Sequence, residues 1–207
     1  MHLLHVESSP RKARSASREA ALAFIDAWSA RHPGVTVDTL DVWTTELPPF
    51  DGAALEAKYA GLGGQMLTPE QQSAWDGIRF LAERFHRADV IVFSVPMWNF
   101  GIPYRLKHLI DAVSQKDVLF TFDERGLLGL LGGRKAVVVA ARGVSLGEGF
   151  PAEEYDFQVA YMAAWCRMVG ITEVSRVEVE RTLYGPEADA ASRTEARAAA
   201  EALAATI

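Results

Sequence analysis

Apolar residues along this chain fall into two kinds of pattern, short runs and longer stripes. Runs or period-two alternations of roughly four to eight residues are typical of strands. Five segments show such a pattern: 3–6, 35–42, 90–95, 136–140 and 173–180. Between them, apolar positions follow the spacing of a helix face, as at Ala21, Phe24, Ile25 and Trp28. The pattern therefore predicts strands that alternate with helices.

This alternation favours an α/β fold built on an open, mostly parallel sheet with helices on both faces. We expect the five strands in the order 2-1-3-4-5, which makes strands 1, 3 and 4 neighbours. The loops that follow those three strands then meet at the switch point of the sheet, where such folds bind ligands. Because no internal repeat or linker interrupts the chain, we expect residues 1–207 to form a single domain.

Three further segments have recognisable patterns. Val118, Phe120 and Phe122 alternate before a turn at 123–126, which predicts a short hairpin or flap inserted after a helix. Helices are predicted where Thr68 begins a capping box and over 155–169. A last helix opens with Pro186 in its first turn.

The segment 44–67 is long and rich in glycine and proline. A segment of this length is usually a functional loop or a partly helical cover. Residues 61–64 are not preceded by a strand, so we interpret them as a flexible loop rather than a nucleotide-binding fingerprint.

The loop after the first strand is rich in hydroxyl groups and cations. Ser15 and Ser17 lie where the first helix begins, and the helix dipole and free N–H groups attract an anion there. Plain capping by Ser15 is the alternative, although Arg18 stands where a capping box needs Glu or Gln. Without a Walker or G-x-G-x-x-G pattern, a single phosphomonoester held by Ser9, Ser15 and Ser17 is favoured. Three nearby cations can balance its charge: Arg11, Lys12 and Arg14.

The loop after the third strand is aromatic and lies between Pro96 and Pro103. Met97, Trp98 and Phe100 surround the amide side chain of Asn99 there, and the backbone adds N–H groups. These groups suit a flat aromatic ligand with a polar rim, although plain core packing of Trp98 and Phe100 is an even alternative. The fourth strand also ends in a polar, glycine-containing loop at 141–149. Taken alone, its Arg142 is more typical of a surface arginine than of a ligand.

Composition and charge exclude several classes of protein. A formal net charge of −6 argues against a nucleic-acid-binding protein. No apolar run approaches the roughly 20 residues of a membrane span. The five histidines lack metal-ligand spacing, so no metal site is predicted. The single cysteine, Cys166, excludes an intrachain disulfide, favours a cytoplasmic location and is expected to be a buried, inert thiol.

Together these loops resemble the FMN-dependent NADH-azoreductase family of flavodoxin-like quinone reductases. The residues that carry the resemblance are Ser9, Ser15 and Ser17, the run 96–100 with Leu106, Lys107 and Asp111, Arg142 with Gly143, and the runs 170–172 and 184–187. The likeness runs through nearly the whole chain. The 96–100 motif is specific when it is joined to the serine loop and weak alone.

The resemblance implies a flavodoxin-like fold and a homodimer with two FMN sites near its interface. It also implies reduction by NADH or NADPH, with two electrons delivered through flavin N5 to quinones and aromatic azo compounds by a ping-pong mechanism. The chemistry belongs to the flavin, so we predict no catalytic acid or base among the side chains.

The family's binding residues carry over to three groups of positions. The phosphate is assigned to Ser9, Ser15, Ala16 and Ser17. The isoalloxazine ring is assigned to Met97, Trp98, Asn99 and Phe100, and its pyrimidine side to Ala141, Arg142, Gly143 and Val144. Phe122 of the flap is expected to form a wall of the substrate side.

Two departures from the family pattern affect these assignments. Trp98 stands where tyrosine is commoner, and it either stacks on the substrate or braces the loop. Ala141 and Val144 replace a hydroxyl residue and a second glycine, and a positive φ is costly at a valine.

Three alternatives remain open: a flavodoxin-type electron carrier, an NAD(P)H:FMN reductase that releases flavin, and a non-enzymatic module. The flap and the long 44–67 segment favour a substrate pocket over a carrier.

Overall fold

A parallel sheet of five strands forms the centre of this computed structural model, which describes residues 1–63, 65–147 and 149–207. Its strands are β1 (His2–Glu7), β2 (Thr36–Asp41), β3 (Val90–Pro96), β6 (Lys135–Ala141) and β7 (Glu173–Val179). They lie in the order β2-β1-β3-β6-β7, and each neighbouring pair is parallel. Counted along the chain, this is the predicted order 2-1-3-4-5.

The central strand β3 is apolar because both of its faces are covered. Ile91, Phe93 and Val95 join the core on one face, and Val90 and Val92 join the core on the other. Helices α1 (Ala16–Arg31) and α7 (Pro186–Leu203) cover the second face. The first face is covered mainly by α3 (Pro69–Arg87), α4 (Tyr104–Val113) and α6 (Val159–Met168). In the described part of the chain, no helix combines the length and the apolarity needed to cross a membrane.

The helix predicted over 155–169 is wrong at 156–158, where the chain is not helical. A short helix α5 (Ala152–Tyr155) ends before this break, and α6 begins only at Val159. Asp156 lies between them, and its Oδ1 accepts a hydrogen bond from Val159 N at 2.8 Å. This side chain satisfies a free amide at the start of α6, so the chain breaks where apolar periodicity alone predicts continuity.

The segment 44–67 is a partly helical cover rather than an entirely open loop. Helix α2 (Gly52–Leu62) occupies its second half and packs on α3. Gly61 and Leu62 therefore belong to a helix, Gly63 forms a turn, and Gly64 lies outside the described residues.

The predicted flap is an antiparallel hairpin of β4 (Phe120–Asp123) and β5 (Gly126–Gly129). Its base meets the chain beside Gly170, where a Cβ on Gly129 would lie 2.0 Å from Gly170 N. Only glycine permits this approach. Two residues after Gly129, the backbone amide of Leu131 donates to Val169 O at 2.7 Å. This hydrogen bond fixes the hairpin to the end of α6.

The sequence also identified the start of α3 and the state of Cys166 correctly. Gln71 N donates to Thr68 Oγ1 at 3.3 Å and Thr68 N to Gln71 Oε1 at 2.9 Å, which completes the capping box. Cys166 is buried within α6, and this burial raises the pKa of its thiol to about 12.

Candidate functional site

The loops after β1, β3 and β6 meet at the carboxyl edge of the sheet around a cavity of about 210 Å³. Residues from all three predicted groups line it: Ser9, Ser15, Ala16, Met97, Trp98, Ala141, Arg142 and Gly143. The other predicted cofactor residues, Ser17, Asn99, Phe100 and Val144, lie next to these in sequence but outside the lining. The convergence expected from the strand order is therefore present.

The serine loop forms one end of this cavity. Ser9, Ser15 and Ser17 are all buried, and the hydroxyls of Ser15 and Ser17 lie 3.1 Å apart. Ser15 Oγ also accepts a hydrogen bond from Arg18 N at 3.3 Å, so the capping alternative is correct for that side chain. Capping does not account for the buried Ser17, whose hydroxyl reaches only Ser15 among the described residues.

Backbone amides at the start of α1 add to this polar end. The first hydrogen bond of the helix runs from Glu19 N to Ser15 O at 3.0 Å. The earlier amides of Ala16 and Ser17 have no acceptor among the described residues. Unsatisfied amides, a helix N-terminus and buried hydroxyls together form an anion-binding arrangement.

The cations of this loop differ in their availability. Lys12 contacts Asp41 and lies 3.4 Å from Glu7 Oε1, so carboxylates already occupy it. Burial tends to raise the pKa of Asp41, but hydrogen bonds from Lys12 and the Trp43 amide outweigh it, and the pKa is lowered. Arg11 lines the cavity and has no ion pair among the described residues. Arg11 is therefore the cation best placed for an anion there.

The aromatic loop contains a tight turn. Trp98 N donates to Gly101 O, and Gly101 N donates to Trp98 O, each at 3.0 Å. Asn99 and Phe100 between them have φ values of 49° and 66°, which fit a type I′ turn. Their two amides have no acceptor among the described residues. The turn thus presents a pair of unbonded amides beside Trp98, and Asn99 itself lines a second, larger cavity.

Phe100 is held in this unfavourable conformation by its ring and its carbonyl. The ring centroid lies 4.9 Å from that of Tyr155 and 5.9 Å from that of Phe150. Phe157 N donates to Phe100 O at 3.1 Å. The ring of Phe100 therefore packs against α5, and Phe100 does not line the small cavity.

Trp98 stands between two cavities. Its ring lines the small cavity and also a larger one of about 860 Å³. The ring centroid lies 5.8 Å from that of Trp43 and 6.2 Å from that of Tyr104. Trp43 donates from Nε1 to Ser8 O at 2.9 Å, so it also braces the serine loop. Trp98 therefore braces the loop and at the same time forms a wall.

In the third loop, the amides available to a ligand are those that follow Arg142 in the chain. Arg142 N donates to Val179 O at 2.8 Å, and Arg142 O accepts from Thr182 Oγ1 at 3.2 Å. The amides of Gly143 and Val144 have no acceptor among the described residues. Neither residue has a positive φ, so the expected strain at Val144 is absent.

The C-terminal segment covers this loop, which the sequence did not indicate. Thr182 and Leu183 line the small cavity. A Cβ on Gly143 would lie 2.5 Å from Leu183 Cδ1, so any larger residue at this position would displace the Leu183 side chain, which is 80% exposed. The available signal was the 184–187 motif, which places this segment after the neighbouring strand β7.

Arg142 is not the surface arginine that its loop suggested. Its side chain is 1% exposed and lies among Asp156, Glu178 and Glu180. The guanidinium is therefore committed to protein carboxylates rather than to a ligand.

The larger cavity is lined by aromatic rings and by a charged pair. Lys107 Nζ lies 2.7 Å from Asp111 Oδ1 and 5.9 Å from the ring centroid of Tyr161. Burial tends to lower the pKa of Lys107, but the hydrogen bond to Asp111 outweighs it and the pKa is raised. Phe122 is 56% exposed and lines neither cavity in this chain.

A family model described as flavodoxin-like fold matches residues 1–204 of the chain. A curated relative is the FMN-dependent NADH:quinone oxidoreductase 2 of Pseudomonas syringae pv. tomato, strain ATCC BAA-871 / DC3000. It is 58% identical over 207 residues, which cover 100% of this chain and 99% of the relative. The chain belongs to this flavodoxin-like family of FMN-dependent NADH:quinone oxidoreductases.

Solved structures agree with this family membership. The crystal structure of azoreductase from Bacillus anthracis strain Sterne superposes with a TM-score of 0.90, at 28% identity and with 100% of both chains covered. An FMN-dependent NADH-azoreductase from Bacillus anthracis strain Ames Ancestor, solved in complex with FMN, has a TM-score of 0.86. It is 24% identical, covers 98% of this chain and 99% of its own, and shows the shared fold.

Proposed function

We propose that this protein is an FMN-dependent NADH:quinone oxidoreductase that also reduces aromatic azo compounds. One observation carries the proposal: the three loops that meet at one cavity at the switch point of the sheet each contain a pair of backbone amides with no acceptor among the described residues, and Ala16 and Gly143 of these pairs line that cavity. The pairs are Ala16 and Ser17, Asn99 and Phe100, and Gly143 and Val144. A ligand with an anionic end and a flat, acceptor-rich ring satisfies all three pairs, and FMN has that form.

The phosphate of FMN is assigned to the serine loop. Ser9, Ser15 and Ser17 supply hydroxyls, and Ala16 and Ser17 supply amides at the positive end of α1. Arg11 supplies a cation. Hydrogen bonds to a charged group contribute about 1.5–3 kcal/mol each, so this end accounts for much of the cofactor affinity.

The ring is assigned to the other two loops. Met97 and Trp98 border it with apolar surface, and the amides of Asn99 and Phe100 serve its N5 and O4 side. Ala141 O accepts from Met97 N at 2.7 Å and joins these loops to each other. Gly143 and Val144 provide the amides for the pyrimidine side, while Arg142 contributes to the wall without donating to the ring.

When bound, FMN would supply the redox chemistry of a ping-pong cycle, in which N5 would accept a hydride from NADH or NADPH and two electrons would then pass to the acceptor. The residues of the chain bind, orient and stabilise charge. Amides of Gly143 and Val144 are placed to stabilise negative charge at the N1–O2 side of the reduced ring. No side chain is assigned as an acid or base, and water supplies protons.

We assign the larger cavity beside Trp98 to the nicotinamide and, after the nicotinamide has left, to the acceptor. The aromatic lining of this cavity suits flat quinones and azo dyes, and the Lys107–Asp111 ion pair gives the cavity a polar edge. Tyr104 and Phe157 of this cavity are 64% and 62% exposed, which favours a homodimer that covers them. Phe122 lies outside both cavities of one chain, so we assign it to the acceptor site of the partner subunit.

Flavin retention tests the proposal. The FMN-loaded protein is passed through a desalting column and then assayed for NADH-dependent quinone reduction without added flavin. We expect the eluted protein to be yellow and active, with parallel double-reciprocal plots and a dimeric mass in sedimentation. Loss of flavin on the column, with activity only in free FMN, would instead support the flavin-releasing reductase.

A further inference from the structure

Arg142, Asp156, Glu178 and Glu180, hereafter the Arg142 cluster, form a group of charges at the end of β6. The arginine side chain is buried, whereas the carboxylate side chains of Asp156, Glu178 and Glu180 are 15%, 35% and 24% exposed. Arg142 Nη2 lies 3.0 Å from Glu178 Oε1, and Nη1 lies 3.4 Å from Asp156 Oδ2. Nε lies 3.7 Å from Glu180 Oε1. One cation therefore faces three carboxylates, so the cluster carries excess negative charge.

Asp156 connects this cluster to the aromatic turn. Its second carboxylate oxygen accepts a hydrogen bond from Val159 N at 2.8 Å, which fixes the break between α5 and α6. The next residue, Phe157, donates its amide to Phe100 O at 3.1 Å. Movement of Asp156 would therefore shift the turn that presents the Asn99 and Phe100 amides.

Glu180 connects the same cluster to the far end of the third loop. Its Oε1 accepts from Leu146 N at 3.1 Å, and its Oε2 accepts from Ser145 Oγ at 2.9 Å. The Gly143 and Val144 amides lie between these contacts and Arg142. The Arg142 cluster thus holds both ends of this short loop.

The backbone of Arg142 is occupied as well, by Val179 O and Thr182. Its amide therefore does not remain for a ligand, and its guanidinium faces carboxylates, although the residue lines the cavity and Nε has no hydrogen-bond partner among the described residues. Burial of this arginine adds little stability, because desolvation offsets its attraction to the carboxylates. The effect of the cluster here is to fix the positions of two loops.

We propose that Arg142 is a positioning residue that sets the separation between the Asn99–Phe100 and Gly143–Val144 amide pairs, and that its carboxylate partners oppose negative charge on the bound flavin. This inference rests on the proposed FMN function. It makes Arg142 a determinant of flavin affinity and reduction potential that does not touch the flavin through a hydrogen bond.

Arg142→Lys tests the positioning role, with Arg134→Lys as a matched control. Arg134 lies just before β6 and donates to Phe85 O at 3.1 Å, at the opposite edge of the sheet. Lysine keeps the charge but cannot reach three carboxylates at once. In FMN titrations of the full-length apoprotein, we expect Arg142→Lys to weaken binding at least tenfold and Arg134→Lys less than twofold. Equal affinities in the two variants would overturn the positioning role.

Glu178→Gln gives a second test that does not depend on the fold of the arginine variant. Glutamine keeps the shape and an acceptor for Arg142 while it removes one negative charge. Glu173→Gln is the control at the other end of β7, where Glu173 lies 3.6 Å from Lys135. We expect the midpoint potential of bound FMN to become more positive in Glu178→Gln alone. Equal potentials in both variants would contradict the charge effect, whereas failure of the unmodified protein to bind FMN would contradict the proposed function.

Discussion

Trp98 and Gly101 exchange both of their backbone hydrogen bonds, and the turn that these bonds close leaves the amides of Asn99 and Phe100 free. A helix in this place would have hydrogen-bonded those amides within its own backbone. An extended loop would have pointed them in different directions. The left-handed conformation of Asn99 and Phe100 costs stability. The ring contacts of Phe100 with Phe150 and Tyr155 offset part of that cost.

The turn predicts a difference between two substitutions at Asn99. Asn99→Gly keeps access to φ near 49°, whereas Asn99→Ala disfavours it by about 1–2 kcal/mol. Both variants keep the backbone amide. We expect FMN affinity to fall about five- to thirtyfold in Asn99→Ala and little in Asn99→Gly. Equal losses in fluorescence titrations would assign the effect to the asparagine side chain instead.

Ser15 and Ser17 predict separable effects on binding and stability. Ser17→Ala removes a buried hydroxyl that caps nothing, so FMN binding should weaken by about 1.5–3 kcal/mol with little change in unfolding free energy. Ser15→Ala removes the cap of α1 as well, and should also lower the unfolding free energy by about 1 kcal/mol. Flavin titration and urea denaturation measure the two quantities.

The control for the serine variants is Ser192→Ala in α7. Ser192 is also a buried helical serine, but it lies outside the cavity. If Ser17→Ala binds FMN as tightly as Ser192→Ala does, the phosphate end has been assigned to the wrong loop.

Substitutions of Trp98 and Tyr104 are expected to separate cofactor binding from acceptor binding. Trp98 lines both cavities, whereas Tyr104 lines only the larger one. Trp98→Ala should therefore weaken FMN retention by about 0.5–1.5 kcal/mol and raise the quinone KM. Tyr104→Ala should raise only the quinone KM. Steady-state kinetics at saturating NADH check this, and an effect of Tyr104→Ala on FMN retention would contradict the separation of the cavities.

His5 predicts a loss of stability in acid. Its Nε2 lies 3.0 Å from Ser94 Oγ, and burial lowers the pKa of His5 to about 4. The unfolded chain takes up this proton near pH 6.5, so the stabilising effect of the neutral ring is complete above that pH. It is lost as the pH falls toward 4, by about 2 kcal/mol between pH 7 and pH 5.

Urea denaturation of a His5→Gln variant checks the origin of that loss. Glutamine can bond to Ser94 but does not titrate in this range, so the decrease between pH 7 and pH 5 should shrink. An unchanged decrease in the variant would assign the acid sensitivity to other groups.

The sheet was predictable from sequence because its inner strands are buried on both faces. The apolar run at 90–95 and the stripe from Leu106 to Val113 identify β3 and α4 without tertiary information. The positions of the three site loops then follow from the strand order. Local signals also sufficed for the capping box at Thr68.

The sequence was less informative where contacts between distant segments decide the conformation. The burial of Arg142 depends on carboxylates that lie 14 to 38 residues away, and no local pattern shows that pairing. The break at Asp156 and the positive φ of Phe100 likewise depend on side chains that fold against them. Trp43 braces the serine loop from a loop that carries no motif of its own, and the 184–187 motif beside Leu183 does not show that this side chain covers Gly143. The role proposed for Phe122 rests on the proposed homodimer, which one chain does not display.

Anaerobic mixing in two steps tests the central claim most directly. The FMN-loaded protein is first mixed with NADH while the yellow absorbance of the bound flavin is followed, and 1,4-benzoquinone is added after the reaction ends. We predict that NADH bleaches the bound flavin directly and that the quinone restores the colour while the flavin stays on the protein. A flavin that stays yellow with NADH would contradict the account and would favour an electron carrier.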